Sequence, residues 1–256
     1  MKYVINCAHR GASGQAPENT LAALERAVAL GADMAEIDIQ QTADDRLAVF
    51  HDDNLDRTST GTGPLWEKSL AELQSLDAGS WFGPAFAGQM IPSLEEVLEF
   101  TRGRLPLNIE MKLHGHERNF ADLAISALYD NNIRDHCLLT SFDHDLVDTI
   151  GARAPGLITG YIVGRTSPTA PLLERPAPVL SLEKSLVHAD LLATAHGAGK
   201  QVHVWTVDDP QEMSRLIDLG VDAVITNFPD RFPRSGTPLR RSRGSGRDDA
   251  GFPEER

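Results

Sequence analysis

Strand-length apolar runs alternate with helix-periodic stretches along almost the whole chain, and that alternation constrains the fold more than any other feature. The runs are YVINCA (3–8), DMAEIDIQ (33–40), LPLNIEMKL (105–113), HCLLTSF (136–142), LITGYIV (157–163), APVLSL (177–182), QVHVWTV (201–207) and DAVITNF (222–228). Between them lie stretches such as TLAALERAVALGA, SLEEVLEFTRG and PQEMSRLIDLG. Their apolar residues recur at three- and four-residue spacing, the signature of an amphipathic helix. Ser93 with Glu96 fits a capping box, and Asp209 before Pro210 fits an N-cap with proline at the first helical position. Gly31, Gly103, Gly199 and Gly220 stand where helices are expected to stop. Eight such alternations in about 230 residues predict an α/β fold, a parallel (β/α)8 TIM barrel.

A barrel of this kind occupies about 250 residues. The 256-residue chain is therefore expected to hold one such domain, over residues 1–231. From Asn54 to Pro92 the rhythm breaks: the segment is rich in Gly and Pro, holds two of the three Trp and carries one short helix-like piece, LAELQSL. It predicts a small inserted lobe after the second strand. Residues 232–256 are rich in Arg, Gly, Ser and Pro, a composition that predicts a disordered C-terminal tail.

Formal net charge is −13; because residues 232–256 hold six Arg against four acids, the rest of the chain carries about −15. Such a surface repels phosphate backbones and anionic headgroups at long range, which argues against a nucleic-acid partner. No stretch approaches the roughly 20 apolar residues of a membrane span, and the first apolar run is too short for a signal-peptide core. No stable membrane insertion and a cytoplasmic location are expected. Cys7 and Cys137 sit in separate apolar runs and read as buried thiols.

In a parallel barrel the C-terminal ends of the strands converge on one mouth, where active sites sit. In AEIDIQ, the strand period of two puts Glu36 and Asp38 on one face and Ile37 and Ile39 on the other. Two acids inside a buried strand repel each other and lose hydration, which costs several kcal/mol unless a cation compensates. LNIEMKL repeats the pattern with Glu110 and Lys112 on one face. Three carboxylates and one ammonium suit one divalent cation with hard oxygen ligands, Mg²⁺ or Ca²⁺.

His9 closes the first strand, and His51 ends the short run RLAVFH, sharing a face with Leu47 and Val49. Two imidazoles beside a metal can serve as general base and general acid near neutral pH. Arg10 supplies a guanidinium able to grip a phosphate bidentately. Asn19 reads first as a helix N-cap and second as a hydrogen-bonder in the site. Trp205 shares its face with His203 and Val207, either as an aromatic wall against substrate or as barrel packing. His114, His116, His136, His144, His188 and His196 lie off this pattern and are expected at the surface or in the core.

With these residues in place, the chain resembles the glycerophosphodiester phosphodiesterases, members of the phosphatidylinositol-phospholipase-C-like barrel group. The resemblance is carried by HRGASGQAPENT, EIDIQQTADDRLAVFHDDNLDRTSTGTG, LDAGSWF, IPSLEEVL, NIEMK, WTVDD and GVDAVITNFPD, in family order over about residues 4–231. It implies metal-dependent hydrolysis of small-molecule glycerophosphodiesters to sn-glycerol 3-phosphate and an alcohol. By motif it implies Glu36, Asp38 and Glu110 as metal ligands and His9 and His51 as the acid–base pair. Arg10 and Lys112 resemble the phosphate contacts, Trp205 the substrate-side aromatic, and the segment after His51 the insertion covering the mouth. The last-strand motif, TNFPD, carries Asn227 where the family often has an acid. Two further readings compete: a phosphodiesterase of lysophospholipids or another lipid-derived diester, and a non-catalytic phosphodiester-binding barrel.

Overall fold

The computed structural model describes residues 2–165 and 169–233. Eight parallel strands close on themselves: β1 (Ile5–Ala8), β2 (Met34–Gln41), β4 (Leu107–Met111), β5 (Cys137–Ser141), β6 (Ile158–Val163), β7 (Val179–Glu183), β8 (Gln201–Trp205) and β9 (Ala223–Thr226). Each pairs with the next in chain order, and β1 pairs with both β9 and β2, which closes the barrel. The expected TIM barrel is the observed architecture.

A ninth strand lies outside the eight expected. β3 (Leu47–Val49) runs antiparallel to β2, with Ile39 opposite Val49. The run RLAVFH therefore extends the sheet for three residues and stops. His51 is delivered by the turn beyond the strand, not by its face.

The helices are α1 (Leu21–Ala29), α2 (Leu70–Gln74), α3 (Leu94–Thr101), α4 (Phe120–Asp130), α5 (His144–Arg153), α6 (Ala189–Gly197) and α7 (Pro210–Leu219). Their starts follow local chemistry. Ser93 and Glu96 form the expected capping box of α3, and Asp209 accepts from the backbone N–H groups of Gln211 and Glu212 at the start of α7. Gly220 caps α7 at φ 100, a left-handed conformation that glycine adopts without steric cost.

Between β6 and β7 the described residues hold only a 3₁₀ turn at Ala170–Leu173 where a barrel helix would normally stand. Pro171, Pro176 and Pro178 account for this, since each removes a backbone donor and obstructs a helical turn.

The main apolar packing lies between the barrel and its helices. Ala35, Ile37 and Ile39 of β2 and Leu107, Ile109 and Met111 of β4 face outward, against Leu24, Leu94, Leu98 and Leu128. Leu180, Leu182, Val202 and Val204 build the corresponding layer on the opposite side. Each such fully buried Leu or Ile contributes roughly 1.5–3 kcal/mol. Because the odd positions of β2 and β4 bury outward, the intervening polar positions must point into the barrel. Cys7 and Cys137 are free and buried. The segment after β3 has a smaller core of its own, in which Leu55, Leu65, Leu70, Leu73 and Ile91 pack with Ala48 and Phe50. The tail expected at 232–256 lies outside the described residues from 234 onward.

Candidate functional site

β2 delivers Glu36 and Asp38 inward, and the pairing of β2 with β4 sets Asp38 opposite Glu110. Ligand atoms of Glu36, Asp38 and Glu110 lie within 4.8 Å of one another, a group that could hold a metal ion. Lys112, one residue beyond β4, brings Nζ to 3.4 Å from Glu110 Oε1 and 3.9 Å from Asp38 Oδ1.

The three acids do not titrate alike. Burial, with the charges of Asp38 and Glu110, pushes the Glu36 carboxyl well above its ordinary range. Burial and Asp38 push Glu110 up to about 7. Burial acts upward on Asp38 too, but Arg10, His51, Lys112 and the Asn19 amide outweigh it and hold Asp38 below its ordinary value. Glu36 Oε1 is buried with no hydrogen-bond partner. An uncompensated carboxylate oxygen in such a place fits a cation ligand, because nothing else repays its desolvation. The residues present therefore fit a divalent cation.

His9 follows β1 directly. Its Nδ1 lies 2.7 Å from Asn227 Oδ1, and the Asn227 amide is oriented by Nδ2 donating to Asp208 Oδ2 at 2.7 Å. With the amide so turned, its oxygen accepts and His9 Nδ1 donates. The proton sits on Nδ1, and Nε2, 3.9 Å from Glu36, is left with its lone pair. Burial and the neighbouring Arg10 lower His9 to about 4, so the ring is neutral at pH 7.

His51 is held differently. β2 runs beyond Asp38 to Gln41, and antiparallel β3 brings the chain back to the level of Asp38, where Phe50 N donates to Asp38 O at 3.0 Å. Buried Gln40 then clamps both flanks of His51, its Nε2 donating to Phe50 O and Asp52 O, each at 2.9 Å. Nδ1 of His51 meets Asp52 Oδ1 at 2.6 Å. Arg57 grips the same carboxylate with Nε at 2.5 Å and Nη2 at 2.9 Å, and chiefly this pairing lowers Asp52 to about 2.

Arg10 adopts φ +53, a left-handed conformation uncommon outside glycine. That turn aims its backbone N–H at Glu36 Oε2, 2.8 Å away. Its side chain contacts Glu18 at 2.8 Å and Asp38 at 3.4 Å. Gly11 follows at φ +76, and a Cβ there would lie 2.6 Å from the backbone carbon of Ala23 in α1, so only glycine lets this turn rest on the helix.

His9, Arg10, Glu36, His51, Glu110, Lys112 and Trp205 line one pocket of about 160 Å³. It opens into a cleft of about 720 Å³ that shares His51, Glu110, Lys112 and Phe142 with it. Trp205 forms one wall, its Nε1 donating to Ser181 O at 3.0 Å and its ring edge-on to Phe142 at 5.9 Å.

Asn19 requires a correction. Thr20, not Asn19, caps α1, its hydroxyl accepting from Ala23 N. Asn19 instead spends its amide on Asp38, Nδ2 donating to Oδ2 at 2.8 Å and Oδ1 accepting from Asp38 N at 3.2 Å. At φ +57 and 3% exposed, it stands behind the ligand group and away from the pocket wall.

Sequence reasoning missed Gln40, Asp52, Arg57, Glu18 and Asp208. The signal available was charge and amide content immediately beside His51 and His9, but only folding reveals which polar groups meet. His114 also departs from expectation: it lines the cleft and stacks on Trp66 at 5.2 Å.

Residues 9–231 match the model of the glycerophosphoryl diester phosphodiesterase family. The chain belongs to that family. Among family relatives, it is 37% identical to the glycerophosphodiester phosphodiesterase of Caldanaerobacter subterraneus subsp. tengcongensis, over 90% of this chain and 96% of that one. It is 35% identical to YhdW of Bacillus subtilis, over 91% of this chain and 98% of the other. The Oleispira antarctica phosphodiesterase, solved in complex with its product sn-glycerol 3-phosphate, superposes with a TM-score of 0.83 at 33% identity, covering 88% of this chain and 94% of that one. Among the described residues no helix is long and apolar enough to cross a membrane.

Proposed function

We propose that the chain hydrolyses glycerophosphodiesters to sn-glycerol 3-phosphate and an alcohol, using His9 and His51 as an acid–base pair beside one divalent cation, Mg²⁺ or Ca²⁺, held by Glu36, Asp38 and Glu110. We read residues 1–231 as a single barrel unit, with 54–92 as its inserted lobe. The observation that carries the proposal is the convergence of two differently held imidazoles, a guanidinium, Glu36 and Glu110 on one pocket, with buried Asp38 completing the acidic group beside it.

The cation, when bound, supplies positive charge beside the phosphoryl oxygens. Arg10 and Lys112 add donors to the same anion, so that the charge developing in the transition state meets fixed positive partners. His9, neutral and with Nε2 unprotonated, removes the proton from the nucleophile, either water or the glycerol 2-hydroxyl. A new P–O bond forms as the bond to the departing alcohol breaks. His51 carries the proton to that leaving oxygen, and the Asp52 carboxylate on Nδ1 compensates the positive charge the ring bears while it holds both protons. Where the 2-hydroxyl is the nucleophile, water then opens the resulting cyclic phosphate, bonding to phosphorus as the bond to the 2-oxygen breaks, with His51 taking the water's proton and His9 returning its own to the 2-oxygen. Asn19 orients Asp38, and Trp205 offers its ring to the glycerol carbons.

The test is release of sn-glycerol 3-phosphate from glycerophosphocholine, glycerophosphoethanolamine and glycerophosphoglycerol by protein stripped with chelator and resupplied with Mg²⁺ or Ca²⁺. Metal-restored release is expected. Folded protein that cleaves a long-chain lysophospholipid and none of these diesters would displace the reading.

A further inference from the structure

Arg57 lies beyond the acid–base pair and the ligand group, in the segment that follows β3, yet it joins both sides of the site. One edge of its guanidinium grips Asp52. The other donates to Glu18, Nη1 to Oε2 at 3.0 Å and Nη2 to Oε1 at 2.7 Å. Glu18 comes from the turn between β1 and α1, and its Oε1 also receives Arg10 Nη1 at 2.8 Å. One carboxylate oxygen is thus shared between the arginine proposed to hold phosphate and an arginine of the lobe.

We propose that Arg57 is a positioning residue with two tasks: it neutralises Glu18, so that Arg10 stays available to the phosphate, and it holds Asp52 against His51. This rests on the diesterase reading above. Glu18 is 13% exposed and stands beside the anion-binding edge. An unshared negative charge there would draw Arg10 toward itself and repel an incoming phosphate, since Coulomb energies are large where water is scarce. With Arg57 present, Glu18 and Asp52 are matched by two guanidiniums, and Arg10, whose Nε also lies 3.4 Å from Asp38 Oδ2, is not captured by Glu18 alone where it lines the pocket. A bidentate fork suits this arrangement because it fixes two carboxylates at once, which an ammonium point charge does not. Arg57 is 47% exposed, so its removal leaves the main apolar layers untouched.

The two tasks separate experimentally. Calorimetric affinity for sn-glycerol 3-phosphate reads the freedom of Arg10, and kcat with glycerophosphoglycerol reads the placement of His51. R57A should weaken binding by about 10-fold and lower kcat by about 10- to 100-fold. In E18Q/R57A the charge that captured Arg10 is gone, so affinity should return to within about 3-fold of the parent while kcat stays low, because Asp52 is still unheld. A residue with a merely structural role would not divide the two readouts in this way. If melting shows that R57A does not fold, R57Q, which keeps the length of the stem, serves in its place. Unchanged affinity in R57A, or a double variant that binds no better than R57A, overturns the inference and leaves the diesterase reading intact. A folded parent protein that neither cleaves the diester nor binds the product overturns that reading, and the inference with it.

Discussion

His9 and Asn227, 218 positions apart in the chain, meet at 2.7 Å with the histidine donating and the amide oxygen accepting. Asp208 holds the amide from behind through Nδ2 and the Asn227 backbone N–H, so the amide cannot turn its nitrogen toward the ring. The pair decides which nitrogen of His9 carries the proton, and so which atom faces the pocket.

Asn227→Ala should therefore lower kcat by about 10- to 100-fold, the usual effect of losing a partner that orients a working side chain, with KM nearly unchanged. Steady-state kinetics on a glycerophosphodiester checks this. A variant that keeps full kcat would remove the tautomer argument.

Replacing either imidazole tests the acid–base pair itself. His9→Ala and His51→Ala should each reduce turnover by roughly two to four orders of magnitude. Affinity for Mg²⁺ or Ca²⁺, read by calorimetry, should stay near that of the parent, since neither ring is among the proposed ligands. Metal affinity lost along with activity would move that histidine into the ligand set.

Stability without metal should fall as pH rises. Glu110 titrates at about 7 in the folded protein against 4.5 as its ordinary value, and Glu36 is displaced the same way. The folded state holds these protons more tightly than the unfolded chain, so the ionisation penalty is absent below pH 4.5 and complete once the pH passes the folded value. Chelated protein should melt at a lower temperature at pH 8 than at pH 5.5, and the gain on adding Mg²⁺ or Ca²⁺ should be larger at pH 8. Glu110→Gln should flatten the first trend and weaken metal binding. A metal-induced gain that does not grow with pH would count against the ligand assignment.

His203 supplies a pH dependence of opposite sign. It is buried inside the barrel with neither ring nitrogen partnered, and burial lowers it to about 4 from an ordinary 6.5. The unfolded chain takes up this proton first, so the stability its neutral ring contributes is whole above pH 6.5 and lost as pH falls toward 4. The ceiling is roughly 3 kcal/mol. Denaturant melts of His203→Leu should lose less stability than the parent between pH 7 and 4; parallel losses would mean that other groups carry the acid sensitivity.

Much of this arrangement was legible in the order of residues because local periodicity dictates direction. A strand shows alternate side chains to opposite faces, so Glu36 with Asp38, and Glu110 with Lys112, had to share a face once Ile37, Ile39, Ile109 and Met111 took the apolar side. Helix starts were equally local: Ser93 with Glu96 and Asp209 with Pro210 complete their caps within four residues. Asn19 misled because the adjacent Thr20 caps just as well, and the deciding partner, Asp38, lies 19 positions away.

The sequence by itself determined the barrel and the inward set of acids, since hydrophobic period and cap chemistry act over a few residues. The tertiary structure decided how that chemistry is held. β3 folding back beside β2 brings His51 level with Asp38, Asn227 turns His9, and Arg57 reaches both Asp52 and Glu18. Each of these depends on hydrogen-bond geometry of a few tenths of an ångström between segments joined only through the closed sheet. Such distances follow from packing the whole barrel and have no signature in any short stretch of the chain.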